Sequence, residues 1–138
     1  MANASERTML LLRNLMIASV LIETIAAFIV TYLLEIGPTA DTQMAFLTVA
    51  SLAFIALSAT AIVRFVLLPS IAKQDTEGRW TAHVLACSFS QAPATYGLVA
   101  AIISGHGLIA LPFAAISLLS FFVLLSYVDE LYPAAQEP

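Results

Sequence analysis

Long apolar runs separated by short polar segments dominate this chain. The runs cover residues 15–34, 44–63, 84–103 and 108–128. Because an α-helix rises about 1.5 Å per residue, each run matches the hydrocarbon thickness of a bilayer, roughly 30 Å. The pattern predicts an all-α fold, namely an integral membrane four-helix bundle that forms one transmembrane domain over residues 1–138. The predicted spans are about 13–35, 43–68, 80–104 and 107–129.

The segments between the runs are short and contain the residues of turns. They are residues 37–41, 69–78 and 104–107, and they carry glycine, proline or charged side chains. Connections of this length make consecutive helices antiparallel neighbours. An offset of 68 residues also aligns Glu23 with Gln91 and Gly37 with Gly105. Two interpretations stay open: two duplicated antiparallel hairpins, or unrelated apolar helices.

Composition and charge support a membrane class. The chain is 61% hydrophobic and 10% charged, whereas soluble domains are about 25% charged. A net charge of −4 argues against nucleic acid as a partner. We expect the lipid bilayer as the surroundings, with a homo-oligomer or other membrane-protein subunits as partners.

The basic residues predict an orientation. The chain has five Lys and Arg residues, and the segments 37–41 and 104–107 contain none. Cytoplasmic segments carry the excess of basic residues. We therefore predict a multi-pass protein with cytoplasmic N- and C-termini, in the inner (cytoplasmic) membrane if the cell is bacterial. The basic residues are Arg7, Arg13, Arg64, Lys73 and Arg79.

Glu23 is the charged residue inside the first apolar run. Charged side chains at such depth are costly, and they usually face a protein interior, a cavity or an ion path. The apolar interior favours the neutral acid, so we expect a protonated Glu23 that faces protein. Gln91 is its first candidate partner. The supporting polar residues are Ser19, Ser88, Ser90 and Thr95.

Glu23 has two interpretations that the pattern leaves open. One is a structural hydrogen bond between helices, and the other is the binding of a proton or another cation. The sequence contains no catalytic, metal-binding or cofactor-binding motif. We therefore predict a protein that is not an enzyme and that has no catalytic residues, no metal and no cofactors.

The third run has a face of small residues. They recur at spacings of 3, 4, 3, 4 and 3 residues, which places them on one helical stripe. Small residues let helices approach closely in lipid. Pro93 interrupts the backbone hydrogen bonds of the same run and predicts a kink. The packing face comprises Cys87, Ser90, Ala94, Gly97, Ala101 and Ser104.

The residues around Gln91 carry a family resemblance. The stretch Gln91-Ala92-Pro93-Ala94-Thr95-Tyr96-Gly97-Leu98-Val99 resembles the carboxylate-bearing helix of the proteolipid c subunit of rotary ATPases. The likeness covers residues 45–103. In that family an acid occupies the place of Gln91, whereas here the aligned Glu23 keeps an acid. The resemblance implies a c-subunit-like, oligomeric membrane subunit.

A second resemblance implies transport. The stretch Leu21-Ile22-Glu23-Thr24-Ile25 is similar to the first helix of small multidrug transporters, which have four spans and a Glu in the first. The lysine that follows it in that family is missing here. Two functions therefore remain: a non-catalytic subunit or accessory of an oligomeric membrane complex, and alternatively a small proton-coupled transporter or ion-translocating subunit that uses Glu23.

Overall fold

The described part of the chain is helical almost throughout. The computed structural model describes residues 4–35, 38, 41–74 and 78–133. Helix α1 ends in a π-helical turn, Ile29–Leu33, and another π-helical turn, Val63–Leu67, joins α2 to α3. A 3₁₀ turn, Gly107–Ile109, precedes α5. The α-helices are α1 (Ala4–Phe28), α2 (Thr42–Ile62), α3 (Leu68–Gln74), α4 (Arg79–Ser104) and α5 (Ala110–Leu131).

The helix ends have local causes. Asp41 caps α2, because its side chain accepts a hydrogen bond from the Met44 N–H at 2.8 Å. Gly105 ends α4 in the left-handed region, at φ 71°, where glycine has no Cβ penalty. The π-helical turn before α3 ends at Leu67, two residues before Pro69, which has no N–H to donate. Leu68 N–H instead bonds to the Val63 carbonyl, five residues back.

The four long helical segments agree with the expected spans, but two are longer. The segments long and apolar enough to cross a membrane are Glu6–Leu33, Thr42–Lys73, Arg79–Ser104 and Gly107–Leu131. The first begins before residue 13. The second continues through Pro69, so much of the expected turn at 69–78 is helical. Most of the expected first turn, residues 36–37 and 39–40, lies outside the described residues, as do residues 75–77.

Helix α4 lies at the centre of the bundle. It packs against α5, α1 and α2, and both α1 and α2 also touch α5. In the described residues α1 and α2 do not form a packed pair. The expectation that all consecutive helices are neighbours, and hence that the first pair forms a hairpin, is therefore wrong for α1 and α2. Short connections limit the distance between helix ends, but side-chain packing selects the neighbours.

Contacts between the helices establish their directions. Met9 near the start of α1 contacts His83 near the start of α4, so these two helices are parallel. Arg79 at the start of α4 pairs with Asp129 near the end of α5, so these two are antiparallel. Arg64, just after the end of α2, stacks over Tyr127 near the end of α5, so these two helices are parallel. The helices therefore alternate in direction, and all five basic residues belong to helix ends on the same side of the bundle.

The buried positions on α4 are mostly small, whereas many large apolar side chains lie on the exterior of the bundle. Buried positions on α4 are mainly alanine, serine, glycine and cysteine. Large apolar side chains lie outside; Phe54 and Phe65 are each 72% exposed, and Phe122 is 73% exposed. Soluble proteins place such side chains inside. This inversion of the usual distribution is what a lipid-facing exterior requires.

Candidate functional site

Glu23 and Gln91 meet between α1 and α4. The Gln91 Nε2 atom donates to Glu23 Oε1 at 2.5 Å, and Ser19 Oγ donates to Gln91 Oε1 at 2.6 Å. Ser19 lies one helical turn before Glu23, so both side chains project from one face of α1 toward α4. The parallel packing of the two helices places Gln91 opposite that face. We call Ser19, Glu23 and Gln91 the central polar cluster.

The hydroxyl of Ser19 has one proton and two acceptors. It lies 2.7 Å from the Met16 carbonyl and 2.6 Å from Gln91 Oε1. A serine hydroxyl donates one hydrogen bond at a time. Exchange of the oxygen and nitrogen of the Gln91 amide satisfies both contacts, because the amide then donates to Ser19 while Ser19 donates to Met16.

The second carboxyl oxygen of Glu23 has no hydrogen bond. Glu23 Oε2 is buried although the residue as a whole is only part-buried, and no partner for it exists in the described part of the chain. Ser90 Oγ is also buried without a hydrogen-bond partner among the described residues. A buried polar atom without a partner costs about 1–3 kcal/mol. The Glu23 oxygen therefore has unused capacity to hold a proton or another cation.

The small face of α4 is buried along its whole length. All six of its residues are buried, from Cys87 to Ser104. A Cβ at Gly97 would lie 2.6 Å from Phe113 Cβ, closer than real contacts allow, so α4 and α5 approach too closely there for any side chain. Ser117 on α5 donates a hydrogen bond to the Ser90 carbonyl. The face thus serves the contact between α4 and α5.

Two expected supporting residues lie elsewhere. Ser88 and Thr95 are exposed on α4, so the structure does not bring them to Glu23. Ser90 is buried, but its carbonyl faces α5. Pro93 is buried within α4, and α4 continues through it as one helix. A bend at this proline stays a prediction.

Three contacts between helices were not predicted from the sequence. His83 Nε2 lies 3.1 Å from the Met9 carbonyl. The Thr60 and Ser120 hydroxyls lie 2.9 Å apart. The Arg64 guanidinium stacks over the Tyr127 ring, 3.1 Å from its centroid. Each pair contains a polar residue in or next to an apolar run, and the sequence shows that such a residue needs a partner. No periodicity identifies which residue of another helix that partner is.

Two cavities open at opposite ends of the bundle. One, of about 520 Å³, lies between the start of α2 and the turn between α4 and α5, where Asp41 and His106 line it. The other, of about 360 Å³, lies between α1 and α5. Among the described residues no group of three His, Cys, Asp or Glu side chains is placed to hold a metal ion.

Comparisons with known proteins leave the family open. A scan of protein-family models, a search of curated proteins and a search of solved structures each returned no match to this chain.

Proposed function

We propose that this chain is a multi-pass integral membrane protein that acts as a non-catalytic subunit or accessory of a membrane assembly. The proposed membrane location rests on the distribution of side chains, in which small residues are buried on α4 and many large apolar residues are exposed. The least apolar of the four long segments, α4, has a mean hydropathy of 1.2 and is the most buried. The segment Thr42–Lys73 has a mean hydropathy of 2.2 and is the least buried. Lipid is the solvent that stabilises such an arrangement.

The orientation follows from the charges at one end. All five basic residues lie at the end where α1 and α4 begin, whereas Glu35 and Asp41 lie at the other. Trp80 and Tyr127 are also at the basic end, as an aromatic belt requires. This end, with both termini, is cytoplasmic in the proposal. An impermeant thiol reagent tests it in a Cys87→Ser background. Lys73→Cys must stay unlabelled in intact cells, and Thr42→Cys must react.

A structural role accounts for most of the buried polar groups. Thr60 and Ser120 join α2 to α5, and the Ser117 hydroxyl joins α5 to the Ser90 carbonyl. Gln91 is held between Ser19 and Glu23. Hydrogen bonds of this kind hold membrane helices together. The exposed apolar sides of α1 and α2 leave surface for lipid, a second copy or another subunit.

Purification from native membranes tests the subunit role. The tagged chain, expressed at its native level and extracted in mild detergent, is expected to elute with other membrane proteins in a fixed ratio. Elution as a monomer, combined with transport by the chain alone in vesicles, would contradict this role and favour the second candidate.

The second candidate is proton or cation binding at Glu23, and the unpartnered Oε2 favours it. Glu23 Oε1 lies 2.5 Å from the Gln91 amide, and a carboxyl group at this place accepts a hydrogen bond when ionised and can donate one when protonated. With the amide oxygen and nitrogen exchanged, a protonated Glu23 donates to Gln91, Gln91 donates to Ser19, and Ser19 donates to Met16. An ionised Glu23 requires the opposite amide orientation. Protonation of Glu23 and the orientation of Gln91 are thereby coupled.

Substitution of Glu23 by glutamine separates the two candidates. The new amide would donate to the Gln91 oxygen as a protonated acid does, but it cannot titrate. A structural Glu23 tolerates Glu23→Gln with assembly intact. A proton-coupling Glu23 loses proton-driven uptake into vesicles while the protein still folds. The carboxyl C=O stretch in the infrared difference between wild type and Glu23→Gln reports the protonation directly, and its absence would contradict the protonated form.

A further inference from the structure

The cavity between α1 and α5 has a polar end and an apolar end. At the polar end lie Arg13 and Asn14 on α1 and Ser126 and Asp129 on α5. At the apolar end lie Ile17, Leu118 and Phe122. From Leu118 to Asp129 the helix rises about 16 Å, so the groove spans the headgroup region and part of the hydrocarbon region of one leaflet.

The charges in this groove favour an anion at Arg13. Asp129 is paired with Arg79 at 3.6 Å, so these two side chains largely neutralise each other. Arg13 is part-buried and has no ion pair among the described residues. Glu6 lies on the other side of Arg13, in a neighbouring cavity of about 220 Å³, and repels an anion there. The groove between α1 and α5, which the hydrogen-bonding side chains of Asn14 and Ser126 line, is the better place for a phosphate.

We propose that the groove between α1 and α5 binds one membrane phospholipid, with its phosphodiester at Arg13, Asn14 and Ser126 and an acyl chain along Ile17, Leu118 and Phe122. A phospholipid is the occupant because polar and apolar linings follow each other along the membrane normal. A soluble phosphate would contact only the polar end of the groove. An apolar peptide would contact the apolar end but would give Arg13 no anion to pair with. This inference rests on the proposed membrane location and goes beyond it, since ordinary lipid contact requires no preferred place.

Native mass spectrometry of the full-length protein with added phosphatidylglycerol tests the headgroup contact. Wild type is expected to hold one lipid more tightly than the next. Arg13→Gln is expected to weaken that lipid about tenfold, the cost of one charge-assisted contact. Arg7→Gln is the matched control, because Arg7 lies on the same helix but is exposed and outside the groove. Equal losses in the two variants, or none in either, would overturn the site and indicate unspecific lipid contact.

The acyl chain and the phosphate are tested separately. Leu118→Trp fills the groove and is expected to reduce retention of the lipid, whereas Leu119→Trp, at a neighbouring position that is 63% exposed, is not. Diacylglycerol, which lacks the phosphate, is expected to bind about tenfold more weakly. Displacement of the lipid by inorganic phosphate alone would overturn the proposal in favour of a soluble anion.

Carbonate extraction of the same variants keeps the two proposals distinguishable. If wild type leaves the membrane in carbonate, the proposed membrane location fails. If it stays and Arg13→Gln still retains phosphatidylglycerol as wild type does, only the lipid site fails. Arg13→Gln adds no bulk, so it remains informative even if Leu118→Trp does not fold.

Discussion

Helices α4 and α2 are both long enough to cross a bilayer, but they meet opposite surroundings. In the most apolar 18-residue stretch of each segment, 44% of the residues are buried in α4, compared with 11% in Thr42–Lys73. Buried positions on α4 are small or polar, whereas α2 buries only Ala45 and Ala56. Hydropathy alone does not set burial, because the segment Gly107–Leu131 has the highest mean hydropathy, 2.6, and is 39% buried. The difference between α4 and α2 lies in the small residues of α4, which let other helices approach closely.

The contrast between the two helices indicates where substitutions matter. On the buried face of α4 an added atom meets another helix, as at Gly97, where even a Cβ would meet Phe113. On α2 most positions are not buried against another helix, so changes of size there meet few protein atoms. Substitutions matched between the two helices therefore test whether the contrast is real. All effects below refer to the free energy of unfolding in a detergent titration of the purified protein.

The largest effect is expected for Gly97→Leu on α4. The new side chain would meet Phe113 Cβ at once, since even a Cβ would lie at 2.6 Å. We expect a loss of about 3 kcal/mol, at the upper end of the cost of overpacking. The control is Ala61→Leu on α2, an exposed position where we expect a change within about 0.5 kcal/mol. Equal effects of the two changes would show that α4 is not the packed helix.

Gln91→Leu comes next. It removes the amide that contacts both Ser19 and Glu23, so Glu23 Oε1 loses its partner in addition to the already unpartnered Oε2. We expect a loss of about 2 kcal/mol, within the cost of orphaning a buried polar group. Gln43→Leu, an exposed glutamine in the first turn of α2, is the control. If Gln91→Leu is neutral, the central polar cluster does not hold α1 to α4.

A smaller effect is expected for Thr60→Val, which tests the contact of α2 with α5. Thr60 bonds to its own helix at Ala56 and also contacts Ser120. Thr48 bonds only to its own helix, at Met44. We expect about 1 kcal/mol for Thr60→Val, as for other hydrogen bonds between membrane helices, and a negligible change for Thr48→Val. A double-mutant cycle with Ser120→Ala isolates the pair, and a coupling of zero would contradict the contact.

The smallest effect is expected for Tyr127→Leu. It removes the ring under the Arg64 guanidinium but keeps an apolar side chain of similar reach. We expect a loss of about 0.5–1 kcal/mol, the usual strength of a cation–π contact outside the deep interior. Arg64→Lys, with Tyr127 in place, keeps the charge and should retain part of the contact. An unchanged stability in Tyr127→Leu would mean that Arg64 interacts with headgroups instead.

The class of fold and much of its outline follow from the sequence alone. Four apolar runs, each about as long as a bilayer is thick, require helices, because only a helix satisfies its own backbone in lipid. The stripe from Cys87 to Ser104 identified the buried face of α4, because a period of 3.6 residues puts those side chains on one side. Glu23 and Gln91 also stood out as polar residues in apolar runs, and their contact was expected on that ground.

The choice of neighbouring helices, in contrast, depends on tertiary packing. Hydropathy measures how well each residue suits lipid, and it contains no information about the residue across an interface. The backbones of α4 and α5 approach closely at Gly97, and α1 and α2 each pack against this pair rather than against each other. The partners of His83, Thr60 and Arg64 follow from that placement. Likewise Ser88 and Thr95 share a helix with Gln91, but the rotation of α4 within the bundle leaves them exposed.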